Sequence, residues 1–375
     1  MKKLIVSLVI VLLCAMQSQA IAVSKIYGAN VNGPAPVVPF NTVVLCQAPE
    51  FCTRTMAPDW SNENIFYGYN GTNCGKSVDG GDTWQNCPAN PSATIYPYYA
   101  VTRNGTVLAA GNDAGGTVLR IRRSTDGAVS WATVYDALPV DTLYITVTNG
   151  RFRCAQTADL CAYYGRDSAV QMFSLISTDD GLTWTLTSGI GQNSFSYINT
   201  AWSNDGSIGI GAVSAGDGVS TIRTMEWNGV AYLRNATNFP TTVGGLCNFP
   251  FILNGARRVI CHETGSGTTY TMRSEDGTVI STFNLSGVPS DSGGNQVGQS
   301  TSTAGAIYLL RSTTIGQTGL WVSVDNAASF VQIFTTDPAG IGIGMQGSAF
   351  VGVNGCVYFS YLTSASTSTV LRVCL

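Results

Sequence analysis

The sequence predicts an all-β fold, a β-propeller of seven four-stranded blades, with six blades as the alternative count. Three observations point there. Short alternating apolar runs are punctuated by Asn-Gly, Asp-Gly and Gly-Gly pairs, and no stretch sustains a helical apolar period. Turn pairs recur at a fixed step: Asp205-Gly206, Asn254-Gly255, Ala304-Gly305 and Asn354-Gly355 stand 49, 50 and 50 residues apart. An octet of the form S-x-D-x-G-x-T-W recurs along the same chain. A period near 50 marks a repeat architecture, and about 50 residues hold four short strands with their turns.

Composition agrees with a packed fold. Charged residues are 11% of the 375 and apolar residues 45%, the reverse of the balance that keeps a chain disordered. Met1 to Ala22 reads as an export signal: Lys2 and Lys3 form the positive end, and Leu4 to Leu13 an apolar core too short to span a bilayer. One propeller domain is expected over 23–375, in the periplasm or outside the cell. Losing two lysines with the signal makes a chain of formal charge −3 more acidic still. Nucleic acid and anionic membranes are therefore excluded as expected partners.

In chain order, the first strand, Ala22 to Ala29, is left over at the N-terminus. It is expected to complete a last blade that runs out of chain one strand short. Without closure the ring would keep an open strand edge. Each blade then follows one grammar. A first strand ends at an Asn-Gly type turn, a second runs out to a Gly/Ser/Thr-rich loop, a third enters the octet, and a fourth leaves through its Trp. Blade two reads Ile95 to Thr102, Gly105 to Gly111, Thr117 to Arg123 and Trp131 to Tyr135. Blade five reads Cys247 to Leu253, Arg258 to Glu263, Thr268 to Ser274 and Val279 to Phe283. The full octets are Ser77-Val78-Asp79-Gly80-Gly81-Asp82-Thr83-Trp84 and Ser177-Thr178-Asp179-Asp180-Gly181-Leu182-Thr183-Trp184. Worn copies stand at Ser124, Ser274 and Ser323, and an eroded one between Thr224 and Gly229. Their Asp accepts hydrogen bonds within its own turn, their Gly takes a backbone conformation others resist, and their Trp fills space between strands. Turn chemistry accounts for them without a substrate.

Ten cysteines remain once Cys14 leaves with the signal, an even number in an exported chain. They fall into near-neighbour pairs: Cys46 with Cys52, Cys74 with Cys87, Cys154 with Cys161, Cys247 with Cys261, and Cys356 with Cys374. Several pairs are symmetric about a turn, which sets their side chains opposite each other on adjacent strands. No metal site and no cofactor is expected, since His262 is the lone histidine and no C-x-x-C spacing occurs.

Octets and Asn-Gly turns fall on one face of the disc. The loops between second and third strands fall on the other, where function is expected on a rigid scaffold. Candidate ligand-binding residues there are Tyr67, Tyr69, Asn112, Tyr164, Arg166, Glu263 and Arg311. Tyr96, Tyr98 and Tyr99 form an aromatic cluster on a blade connection. The candidate catalytic groups are Glu263, His262 and Asp167. Rings beside a few directed polar groups suit sugar recognition.

The octets resemble the Asp-box, or bacterial neuraminidase repeat, and with an export signal the chain is similar to the sialidase-like superfamily at the level of repeats. That resemblance implies a propeller, and in its enzymes three substrate-clamping arginines, an Arg-Ile-Pro segment, an Asp acid/base and a Tyr/Glu nucleophile pair. The Arg-Ile-Pro segment is missing, and Arg166 and Arg311 are one arginine short of the clamp. The leading expectation is therefore a non-catalytic exported propeller that binds a glycan or protein ligand. A glycoside hydrolase of sialidase-like type is the alternative, and a scaffold subunit of an envelope or surface complex the third.

Overall fold

The computed structural model describes residues 41–45, 55–69, 73–91, 98–112, 118–137, 143–144, 151–167, 172–187, 195–215, 220–227, 232–235, 247–262, 269–285, 296–300, 307–312, 318–335, 349–351, 356–362 and 368–374. Their strands form seven antiparallel sheets that follow one another along the chain. Sheet one holds Thr55–Pro58, Phe66–Tyr69, Cys74–Ser77 and Gln85–Asn86. Sheet two holds Tyr98–Val101, Val107–Asn112, Leu119–Ser124 and Ala132–Asp136. Sheet three holds Leu143–Tyr144, Arg151–Cys154, Cys161–Asp167, Met172–Ser177 and Thr185–Thr187. Sheet four holds Phe195–Trp202, Ile208–Ala215, Ser220–Trp227 and Tyr232–Asn235. Sheets five and six run from Cys247 to Asn284 and from Gln296 to Thr335. Sheet seven joins Ala349–Val351, Val357–Leu362 and Ser368–Cys374 to Asn41–Leu45. The innermost strands of successive sheets lie side by side, and that of sheet seven packs back on that of sheet one, so the ring closes.

Two expectations are corrected here. The strands are not uniformly four per blade: sheet three has five, because Leu143–Tyr144 and Arg151–Cys154 share one long partner. Tyr144 stands opposite Arg166 at one end of that partner, and Cys154 opposite Cys161 at the other. The closing strand is also not Ala22 to Ala29, which lies outside the described residues. Asn41–Leu45 closes the ring, from Asn41 opposite Cys374 to Leu45 opposite Val370. Its Thr42, Val43 and Val44 are β-branched, the residue type that packs well on a pleated surface. The prolines just before it hid that run from a reading by blades.

Packing lies between sheets. Tyr98, Leu108 and Ile121 of sheet two meet Tyr163, Phe173 and Leu175 of sheet three in one cluster. Ile210, Phe251, Val259, Leu309 and Trp321 join sheets four, five and six in another. Each fully buried side chain of this kind contributes roughly 1.5–3 kcal/mol of transfer free energy. Ring faces and edges meet at these seams, with Tyr98 and Tyr163 in T-shaped contact at 6.0 Å.

The octets form the turns expected of them. Ser77 donates its hydroxyl proton to Asp79 Oδ1 at 2.9 Å and accepts the Gly81 N–H at 2.9 Å. Asp79 accepts the Thr83 N–H at 2.9 Å, and Trp84 Nε1 donates to the Gly81 carbonyl at 3.1 Å. The Ser177 octet repeats this bond for bond. The worn copies at Ser124 and Ser323 keep the Ser–Asp pair and accept the N–H of Ala128 and Ala327 instead of a glycine's.

Disulfides join Cys74 to Cys87, Cys154 to Cys161 and Cys356 to Cys374. Cys261 is also disulfide-bonded, and Cys247 stands opposite it in sheet five. Cys46 and Cys52 lie outside the described residues. Three such bonds are consistent with an oxidising, extracytoplasmic environment. Among the described residues no helix is long and apolar enough to cross a membrane.

Gly181 has φ of +76°, and a Cβ there would stand 2.5 Å from Leu108 Cδ2 of sheet two. Gly255 has φ of +74° with nothing within 4 Å. Gly255→Ala is expected to cost about 1–2 kcal/mol, the left-handed backbone penalty alone. Gly181→Ala adds overpacking and is expected to cost about 2–4 kcal/mol, read as a lower midpoint in urea unfolding.

Candidate functional site

Strand register divides the disc into two faces. Ser177 stands opposite Cys161, and from this end the octet turn and the Cys154–Cys161 hairpin both project. At the other end Arg166 stands opposite Met172. The same ends of other strands carry Tyr69 opposite Cys74, Asn112 opposite Leu119, His262 opposite Tyr270, and Arg311 opposite Gly319. The backbone thus places Tyr69, Asn112, Arg166, Asp167, His262 and Arg311 at corresponding strand ends, away from the octets. Glu263 and Tyr96 lie outside the described residues.

The tyrosines are not a sugar platform. Tyr67, Tyr69 and Tyr164 are 2%, 7% and 0% exposed, and Tyr98 and Tyr99 are buried as well. Tyr164 meets Trp202 of sheet four edge-on at 6.2 Å, and burial, the largest influence, pushes its phenol well above the ordinary value. Lys76 Nζ sits 5.3 Å from the Tyr67 ring centroid and donates to the Gly127 carbonyl of sheet two. Burial first, then the charges of Asp59 and Asp126, raise the Tyr67 phenol to about 12. A ring that fills the seam between two sheets has no face left for a ligand. The expectation of a non-catalytic binder stacking glycans on these rings is therefore corrected. Alternation of Tyr along these strands reported inter-sheet packing.

The octet face is polar, and several of its charges are paired. Asp180, at φ +62°, accepts from Asn104, Thr106 and Arg123 of sheet two, the last at 2.8 Å. Arg103 of sheet two grips Asp159 of sheet three at 2.8 Å and donates to the Thr157 carbonyl. The N–H groups of Gln156 and Thr157 reach the Asn204 carbonyl of sheet four. Arg257 of sheet five bonds Glu275 and the Gly209 carbonyl of sheet four. Asp180 was not singled out in the sequence, since it occupies a variable octet position. Its signal is an acidic residue where the turn needs positive φ, a conformation Asp tolerates better than most.

The octet carboxylates are held ionised. Burial raises Asp79 and Asp179, but hydrogen bonds from Thr83 and Ser77, and from Thr183 and Ser177, outweigh it, and both lie below the ordinary value. Bonds from Ser130 and then Ser124 lower Asp126, and bonds from Ser274 and Thr278 bring Asp276 to about 2. An acceptor already engaged and this acidic is a poor proton donor near neutral pH. Among the described residues, no cluster of His, Cys, Asp and Glu is arranged to hold a metal.

Solved structures similar in fold to this chain differ in function. A chain of the mitotic checkpoint complex is 9% identical, with 92% of this chain and 97% of that one covered and a TM-score of 0.54. The GH74 xyloglucanase from Xanthomonas campestris is 9% identical over 86% of this chain, with a TM-score of 0.53; this chain spans 54% of its length. The α-L-arabinanase from Penicillium chrysogenum is 15% identical over 75% of this chain and 93% of that one, with a TM-score of 0.45. No family model and no curated protein matches the chain. Membership of the sialidase-like superfamily is thus corrected to a likeness of fold alone: the chain is an all-β propeller.

Protonation of the octet carboxylates is linked to unfolding. Their folded-state values lie below the ordinary one, so their contribution is complete above about pH 5 and is lost as pH falls through the folded values. The urea midpoint is expected to fall progressively from pH 5 to pH 2, and Asp179→Asn to make that fall shallower. At the other extreme Tyr67, raised to about 12, ionises first in the unfolded chain, so stability is expected to decline above about pH 10.

Proposed function

We propose that the chain is an exported glycoside hydrolase: one propeller domain over residues 23–375, acting in the periplasm or outside the cell on a glycan substrate. The division between the two faces carries the proposal. On the octet face the carboxylates of Asp79, Asp126, Asp179, Asp180 and Asp325 are each engaged in hydrogen bonds that lower their pKa. Groups for acid/base chemistry are accordingly sought at the opposite strand ends, where Asp167 follows Arg166 in sheet three, His262 ends a strand of sheet five and Arg311 lies near the end of one in sheet six. A xyloglucanase among the similar propellers supports an enzymatic over a purely binding role.

Hydrolysis of a glycosidic bond takes two carboxyl groups. One protonates the departing oxygen, and the other attacks the anomeric carbon or activates water. Asp167 and Glu263 are the proposed pair, with His262 as an auxiliary base. Arg166, Arg311 and Asn112 are proposed to orient hydroxyls or carboxylates of the sugar, while the buried Tyr67, Tyr69 and Tyr164 support the floor beneath them. No cofactor enters this chemistry.

The mature chain should hydrolyse at least one member of a panel of aryl glycosides and plant or microbial polysaccharides. Asp167→Asn and Glu263→Gln are each expected to lower kcat/KM by about 10²–10⁴-fold with an unchanged melting temperature. Absence of turnover by the folded wild-type chain on the whole panel would overturn the proposal.

A further inference from the structure

Four Asn-x-Ser/Thr tripeptides without proline occur in the sequence: Asn70-Gly71-Thr72, Asn104-Gly105-Thr106, Asn235-Ala236-Thr237 and Asn284-Leu285-Ser286. Such a tripeptide is an acceptor for N-linked glycans when its Asn is exposed on an exported protein. The fold treats them differently. We propose that Asn284 and Asn235 are N-glycan acceptor sites and that Asn104 is not.

Asn284 ends the outermost strand of sheet five, opposite Thr269. Its side chain is exposed, and its Oδ1 accepts the Thr269 hydroxyl at 2.9 Å. That bond engages Oδ1 and not Nδ2, the atom to be glycosylated. Asn235 ends the outermost strand of sheet four, the neighbouring sheet, opposite Thr224. Asn104 is committed elsewhere. Its Nδ2 donates to Asp159 at 2.9 Å and to Asp180 at 3.2 Å. The hydroxyl of its partner Thr106 is buried and donates to Asp180. A sugar on that nitrogen would replace one of its two donor hydrogens and wedge its bulk between sheet two and sheet three.

The donor is a lipid-linked oligosaccharyl pyrophosphate. The bond from the sugar anomeric carbon to the pyrophosphate oxygen breaks, a bond to Asn Nδ2 forms, the amide gives up one proton, and the lipid pyrophosphate leaves. A glycan at either site covers an outer strand that is paired on one side only in its sheet, the edge that otherwise invites pairing with another chain.

The test is site-resolved. The full chain is secreted from eukaryotic cells that carry oligosaccharyltransferase, and the folded product is treated with peptide-N-glycosidase in ¹⁸O-water and read by peptide mass spectrometry. Asn284 and Asn235 are expected to appear as ¹⁸O-labelled Asp, and Asn104 as unmodified Asn. Asn284→Gln and Asn235→Gln should each remove one glycan's mass from the intact protein. Unmodified Asn284 in the wild-type product, or a glycan on Asn104 in folded protein, overturns the proposal. Because occupancy is read on the wild-type chain, poor secretion of either variant leaves the outcome decisive.

Discussion

The Ser–Asp turn is the interaction on which the rest of the structure depends. Where a third strand reverses into a fourth, several backbone N–H groups leave the ladder and need acceptors. Ser77 and Asp79 supply them within eight residues, and so do their counterparts at Ser124, Ser177 and Ser323. The turn requires positive φ, and the chain meets this at Ala128, Asp180, Asn326 and Ala327 as well as at glycines. Each such non-glycine residue costs roughly 1–2 kcal/mol, and two or three turn hydrogen bonds at about 1 kcal/mol net each offset it. The worn octets survive on that balance: Ala128 and Ala327 replace glycine, yet both N–H groups still reach their serines.

From these turns the bracing spreads between sheets. Asp180 leaves its own turn to join Asn104, Thr106 and Arg123, so one variable octet position fixes sheet three to sheet two. Trp131 of sheet two donates to the Ala89 carbonyl of sheet one, and Ser281 of sheet five to the Ala327 carbonyl of sheet six. A ring of sheets can loosen at any seam, and polar links at its rim act where apolar packing thins toward solvent. The Cys154–Cys161 bond serves the same purpose: the loop it closes carries Asp159 toward sheet two and the Gln156 and Thr157 amides toward sheet four.

The fold was more legible in the sequence than the site. Turn residues announce themselves because only a few side chains fit their backbone, so Ser77, Asp79 and Gly81 were readable with their roles. Cys74 with Cys87 was readable by symmetry about that same turn, Cys356 with Cys374 by symmetry about another, and Cys154 with Cys161 by nearness in sequence alone. Closure by Asn41–Leu45 was missed because Pro34, Pro36 and Pro39 just before it argue against a strand, and the broken inner strand of sheet three because pairing of two short segments with one long partner leaves no periodic mark. The tyrosines misled for a plainer reason. A Tyr that stacks on a sugar and a Tyr that fills a seam between sheets occupy the same alternating positions, and only burial separates them.

This asymmetry explains why likeness of fold reaches proteins of such different activity. The turns, the inter-sheet seams and the closing strand together determine the ring, and the octet turns lie at the opposite strand ends from Asn112, Arg166, Asp167, His262 and Arg311. One ring architecture can therefore carry different groups at those ends, and fold alone does not fix the activity. Here the ends in question carry Asn112, Arg166, Asp167, His262 and Arg311. His262 and both arginines are unusual cargo for strand ends in a chain with one histidine and only 11% charged residues. A scaffold that needs charge sparingly consumes most of its described carboxylates in turns and braces, and Asp167 stands at the strand ends away from them.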